Sequence, residues 1–132
     1  MTIQHDCVSG GCYVKNHTPD WSFLKGAFEN PNISPSDMDG WVESHGHLLM
    51  LEWKHEGVEI PMGQRIAFEN LTKRNDITVY VIFGNPRTSE PKHLTVFHNG
   101  KIISNTQCDR DRLYRQVGRW EGLVAKAHRN AA

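Results

Sequence analysis

Residues 76–84, DITVYVIFG, form an almost unbroken run of β-branched and aromatic side chains. A strand sends successive side chains to opposite faces, so a run with no polar gap must be apolar on both. Such a strand belongs at the centre of a sheet whose two faces are both covered. The covering layers must come from the rest of the chain, and helical patterns supply them. In PMGQRIAFENLTKRN, Gln64, Phe68 and Leu71 fall on one stripe, Pro61 stands near the first turn and Lys73-Arg74 stand in the last. From Asp109 onward, Leu113, Val117, Trp120, Val124 and Ala127 form a second stripe.

Turn signals fix the neighbouring strands. HLTVFHNGKIIS predicts a hairpin turning at Asn99-Gly100, the strongest such signal in the chain. DMDGWVESHGHLLMLEWK predicts another, turning at His45-Gly46. PDWSFLKGAFEN places Trp21, Leu24 and Phe28 at helical spacing with Asp20 as an N-cap, although Gly26 weakens that helix and NPNISPS ends it. Residues 1–19 read as an irregular segment, and NPRTSEPK as an exposed loop. The resulting order is α, β-hairpin, α, β, β-hairpin, α. It predicts an α/β fold, a mixed central β-sheet flanked by α-helices, in one domain over 1–132 with a C-terminal helix over 109–129.

Composition narrows the function classes. The chain has 132 residues, with formal net charge zero and eight histidines. Its overall balance therefore gives no electrostatic case for nucleic acid, and a DNA partner would need local charge or a bound cation. The N-terminus lacks the basic and apolar segments of a secretory signal, and no apolar run reaches the ~20 residues of a membrane helix. Three cysteines without a signal fit free thiols in a reducing compartment. The expectation is a cytoplasmic protein with no membrane partner.

The first hairpin carries the chemistry. With a two-residue turn at His45-Gly46, paired positions sum to 91, so Trp41 faces Met50, Asp39 faces Glu52 and Asp37 faces Lys54, all on one side of the sheet. Carboxylates on adjacent strands repel unless a cation lies between them. Oxygen ligands across a narrow gap suit Mg²⁺ or Mn²⁺. A lysine beside such an ion can hold an attacking water or offset charge on a pentacovalent phosphate. This is equipment for phosphodiester hydrolysis.

The linear pattern Pro35-Ser36-Asp37-Met38-Asp39-Gly40, then Glu52-x-Lys54, then Gly63-Gln64 resembles the PD-(D/E)XK nuclease superfamily, over roughly residues 20 to 85. That superfamily includes restriction endonucleases, Holliday-junction resolvases and phage nucleases, and the short format resembles its small phage-type or resolvase-like members. The resemblance implies a restriction-endonuclease-like core and a metal-dependent endodeoxyribonuclease acting in phage or prophage DNA processing or recombination. It implies Asp39 and Glu52 as metal ligands, Lys54 as the catalytic lysine, and Gln64 as the helix glutamine that positions water or metal. Glu29 would be the helical glutamate, and Asp37 an additional or alternate ligand. DNA is then the partner, and cutting two strands calls for two sites and hence a homodimer.

Blander readings stand beside each of these. Glu52 and Lys54 can be a solvated ion pair at a strand end, worth about 0–1 kcal/mol. Gln64 can be an ordinary first-turn polar residue, and Glu29 an ordinary one near a helix end. The same scaffold can serve as a catalytically inactive DNA-binding or anti-defence protein. His5, Cys7, Cys12 and His17 are zinc-compatible types, but Cys-x4-Cys matches no tight zinc-ribbon spacing, so individual side chains are preferred over structural Zn²⁺ at Cys7 and Cys12. Cys108 is too isolated to assign. His45, His47 and His55 read as surface or loop residues. Arg110, Arg112, Arg115, Arg119, Lys126 and Arg129 form the one sizeable basic cluster. They read as a solvated helix face, or as the phosphate-contacting surface if the substrate is nucleic acid.

Overall fold

The structure, a computed structural model, describes residues 20–131. The chain divides into two compact units, residues 1–37 and 38–132. The second unit is α/β: five strands in the order β1-β2-β3-β4-β5, with one long helix and one shorter one. The strands are β1 Gly40–Ser44, β2 His47–His55, β3 Ile77–Asn85, β4 Glu90–His98 and β5 Lys101–Gln107. Helix α1 spans Met62–Thr72 and helix α2 spans Arg110–Ala131.

Both hairpins form where the turn residues demand. His45 and Gly46 adopt φ of 49° and 82°, and Asn99 and Gly100 adopt 55° and 80°. These left-handed pairs match the type I′ turns that suit the twist of antiparallel strands. The β1–β2 ladder runs from Ser44↔His47 to Gly40↔Leu51, the expected register. β2 and β3 are parallel and joined through α1, and every other neighbouring pair is antiparallel. The sheet is therefore mixed, with one βαβ crossover.

The core lies on both faces, as β3 requires. Val79 and Val81 meet Met50, Phe97 and Phe68 of α1, with the Phe68 and Phe97 rings edge to face at 5.4 Å. Tyr80 and Ile82 point the other way, to Leu49, Leu94, Val96 and the α2 residues Trp120 and Val124. Asp109 caps α2 by accepting a hydrogen bond from the Arg112 N–H at 2.8 Å. Among the described residues, no helix is long and apolar enough to cross a membrane.

Four expectations need correction. The first helix is absent: Asp20 Oδ1 accepts from the Ser22 N–H at 2.9 Å, but only a three-residue 3₁₀ turn, Ser22–Leu24, follows. Gly26 at φ 87° turns the chain away, and Trp21, Phe23 and Phe28 stay exposed. In α1 the buried stripe is Phe68 and Thr72; Leu71 is exposed, and Lys73-Arg74 lie past the helix end. Thr72 wins its place through hydrogen bonds, its Oγ1 donating to Phe68 O at 2.7 Å while Gly100 N–H donates to Thr72 O at 3.0 Å. The β3–β4 loop is shorter than expected, since Glu90–Lys92 belong to β4. Buried Pro91 enters there because the ladder is already irregular at Phe83/Gly84, where a missing N–H costs little. Finally, the β1–β2 ladder stops at Gly40, so neither Asp39 nor Asp37 is a paired strand residue.

Candidate functional site

β2 alternates across the sheet. Leu49, Leu51 and Trp53 face α2, while Leu48 and Met50 face α1. Glu52 and Lys54 continue the second set, so both project on the α1 side, where each is half-buried. Trp53 packs against the α2-side core, as a core-directed residue between them should.

Asp39 reaches the same strand by a different route from ladder pairing. Because β1 begins at Gly40, the backbone N–H of Trp53 has no carbonyl opposite it on that side. Asp39 Oδ2 accepts it instead, at 2.7 Å. Aspartate commonly satisfies a backbone donor with its side chain in this way, which also explains why the strand frays here. The carboxylate is therefore fastened to the Glu52–Trp53 peptide.

Gln64 approaches from above. It lies one turn ahead of Phe68 on α1, and Phe68 is buried in the α1-side core. α1 runs back from the C-terminal end of β2, so its first turn stands at the end of the sheet that carries Glu52 and Lys54. Its Oε1 is enclosed and has no hydrogen-bond partner among the described residues. A buried acceptor left without a donor costs about 1–3 kcal/mol, which makes it exceptional.

Beyond the apolar β3 residues Val81 and Phe83, the same face carries a second polar group on β4 and β5. The register aligns Glu52 with Val81, Thr95 and Asn105, and Lys54 with Phe83 and His93. A cleft of about 450 Å³ opens on this side, lined in part by Glu59, Arg65, Phe83, His93, Thr95 and Asn105. Asn105 Oδ1 is its hub, accepting from Thr95 Oγ1 at 2.9 Å and bonded to His93 Nε2. Sequence reasoning missed this group because β4 and β5 carry no motif; only the cross-sheet register aligns them.

Glu52 and Lys54 at the end of β2 and Gln64 in the first turn of α1 thus lie toward the same end of the second unit, and Asp39 is bonded to the Trp53 N–H there. Glu29 and Asp37 belong to the first unit, Glu29 in an exposed bend after the 3₁₀ turn rather than at a helix end. Cys7 and Cys12, with His5 and His17, lie outside the described residues. Among the described residues, no three His, Cys, Asp or Glu side chains gather to hold an ion by themselves. A cation here would rest on two carboxylates and the glutamine amide.

α2 covers the opposite face of the sheet, and of its basic residues Arg112 and Arg115 share a cleft with Glu56 and Lys92 at the end of the sheet to which β2 runs. Arg110 has a local role: its guanidinium donates to Ser89 O at 2.8 Å and Thr88 O at 2.7 Å, clamping the β3–β4 turn. Cys108 is buried, and burial pushes its thiol above the usual range, which keeps it protonated. No protein family, curated protein or solved structure matches this chain.

Proposed function

We propose that the protein is a metal-dependent endodeoxyribonuclease with a restriction-endonuclease-like core, hydrolysing phosphodiester bonds in the manner of small phage or prophage DNA-processing enzymes. One observation carries the reading. The orphaned, enclosed Oε1 of Gln64 stands at the end of the sheet where Asp39 is tied to the Glu52–Trp53 peptide. The donor set is all oxygen, which fits a hard cation such as Mg²⁺ or Mn²⁺. The enclosed Gln64 oxygen is an acceptor in need of a partner, and a cation fits that need.

Asp39 Oδ1, Glu52 and Gln64 Oε1 would hold the ion. When bound, it supplies charge neutralisation at the phosphate and a water of lowered pKa. Lys54 donates hydrogen bonds from Nζ to the water or to a non-bridging phosphate oxygen. That placement counters the negative charge carried by the non-bridging oxygens as the water oxygen bonds to phosphorus and the ester oxygen departs. Glu29 and Asp37 are not needed for these roles. Two copies acting together would cut both strands of a duplex.

The test is cleavage of plasmid, single-stranded and branched DNA in millimolar Mg²⁺. Lys54→Ala should lower the rate by about 10²-fold or more without moving the melting temperature, because Lys54 is half-buried at a polar strand end. A Lys54→Ala protein that cuts at the parent rate refutes the assignment. DNA binding with no cleavage by the parent would select the non-catalytic binding protein instead.

A further inference from the structure

Trp41 is an exposed aromatic beside the site with no role in the core. Its side chain is 63% exposed. The ladder pairs it with Met50, so it lies on the α1 face, and Glu52 is the next β2 residue on that face. Diagonal neighbours of this kind stand about 7–8 Å apart, within reach of an aromatic side chain. Among the described residues β1 is the edge strand of the sheet, with no strand paired beyond it. The main contacts of α1 fall on β3, β4 and β5, across β2 from Trp41. The result is a flat apolar ring next to the acid pair, approachable from the sheet edge.

Resting on the nuclease reading above, we propose that Trp41 stacks an unpaired nucleobase of the substrate, next to the phosphate addressed by Asp39, Glu52 and Lys54. The preferred substrate is then single-stranded DNA, or DNA with an unpaired nucleotide at the cut. Inside a duplex both faces of a base are already stacked, so a protein ring can reach only a base that is unpaired or extruded. An indole stacks on any base, giving affinity without sequence preference.

Two readouts on the full chain separate this inference from the reading beneath it. Tryptophan fluorescence is titrated in Ca²⁺ with a single-stranded oligonucleotide, its duplex, and an all-abasic strand of the same length. The parent should quench with the single strand, and Trp41→Phe should lose that quench. Trp41→Ala should bind the single strand about tenfold more weakly or worse, Trp41→Phe should restore much of the affinity, and the abasic strand should not distinguish the variants. In Mg²⁺, Trp41→Ala should raise KM on the single strand and leave kcat nearly unchanged.

Equal single-strand affinity of parent and Trp41→Ala overturns the stacking role. So does an equal loss on the abasic strand, which would mean contact with the backbone. A Trp41→Ala protein that melts several degrees lower with unchanged affinity would show the ring covered by protein, and would also overturn it. Trp41-dependent quenching without cleavage by the parent would leave stacking standing and remove the nuclease reading. Cleavage without such quenching would do the opposite.

Discussion

Replacing Gln64 by methionine should stabilise the metal-free protein and impair its function. Methionine matches glutamine in length, is close to it in helix propensity, and adapts to irregular space. The parent carries an enclosed Oε1 without a partner among the described residues, a burden of about 1–3 kcal/mol. Gln64 is only half-buried, so the lower end applies, and the variant should gain about 1 kcal/mol. For a domain of this size that is about 4 °C in melting temperature. The assay is thermal unfolding of both proteins in chelator and again in millimolar Mg²⁺. An ion that binds only the folded state stabilises it by about 2.7 kcal/mol at a hundred times its dissociation constant. The variant, one ligand short, should gain less. Its melting point should lie above the parent's in chelator and lose that lead in magnesium. A variant that melts below the parent in chelator, or gains as much from magnesium, would refute the reasoning.

Two further outcomes test the frame that holds the site. Gly84→Ala would place a Cβ 2.1 Å from Glu90 O and 2.9 Å from Pro91 Cα, both backbone, so β3 and β4 must part. It should cost about 3 kcal/mol in urea unfolding, and an unchanged midpoint would refute the close approach. Burial pushes the Tyr80 phenol, which donates to Gln116 O at 3.1 Å, up to about 12. An unfolded tyrosine ionises near pH 10, so between pH 10 and about 12 the folded state alone keeps the proton. That contribution is whole below pH 10 and is lost as pH rises, at about 1.4 kcal/mol per pH unit through the window. Tyr80→Phe should flatten that decline relative to the parent; parallel curves would refute it.

The parts legible in the sequence were those set by local chemistry. His45-Gly46 and Asn99-Gly100 determine φ at their own positions, so both hairpins and the β1–β2 register could be read directly. The apolar run of β3 and the long stripe of α2 needed only periodicity. Failures occurred where a distant group competed with a local preference. Nothing local reveals that the Trp53 N–H would claim the Asp39 carboxylate and end β1 at Gly40. Nor could a pattern show that Gly84 admits Pro91 into β4, or that Thr72 displaces Leu71 by bonding within α1 and to the β4–β5 turn. For the candidate site, the sequence placed Glu52, Lys54 and Gln64 correctly on β2 and on α1. It read Glu29 on a helix that does not form.

Topology offers an argument for the site that does not depend on any motif. In sheets with parallel strands, ligands gather beyond the carboxyl ends of those strands, where the following helix begins and backbone donors and side chains converge. This sheet has a single parallel pair, β2 and β3, and hence a single βαβ crossover. The chain leaves the carboxyl end of β2 and enters α1 through residues 56–61, so the last residues of β2 and the first turn of α1 share one end of one face. Those residues are Glu52, Lys54 and Gln64, and the enclosed orphan oxygen belongs to the last of them. On the opposite face, covered by α2, the Tyr80 hydroxyl is satisfied by the Gln116 carbonyl at 3.1 Å. On the proposed reading, a cation at the crossover would meet Gln64 Oε1 at the end of the sheet where Asp39 is bonded to the Trp53 N–H, and Lys54 would face the phosphate it brings.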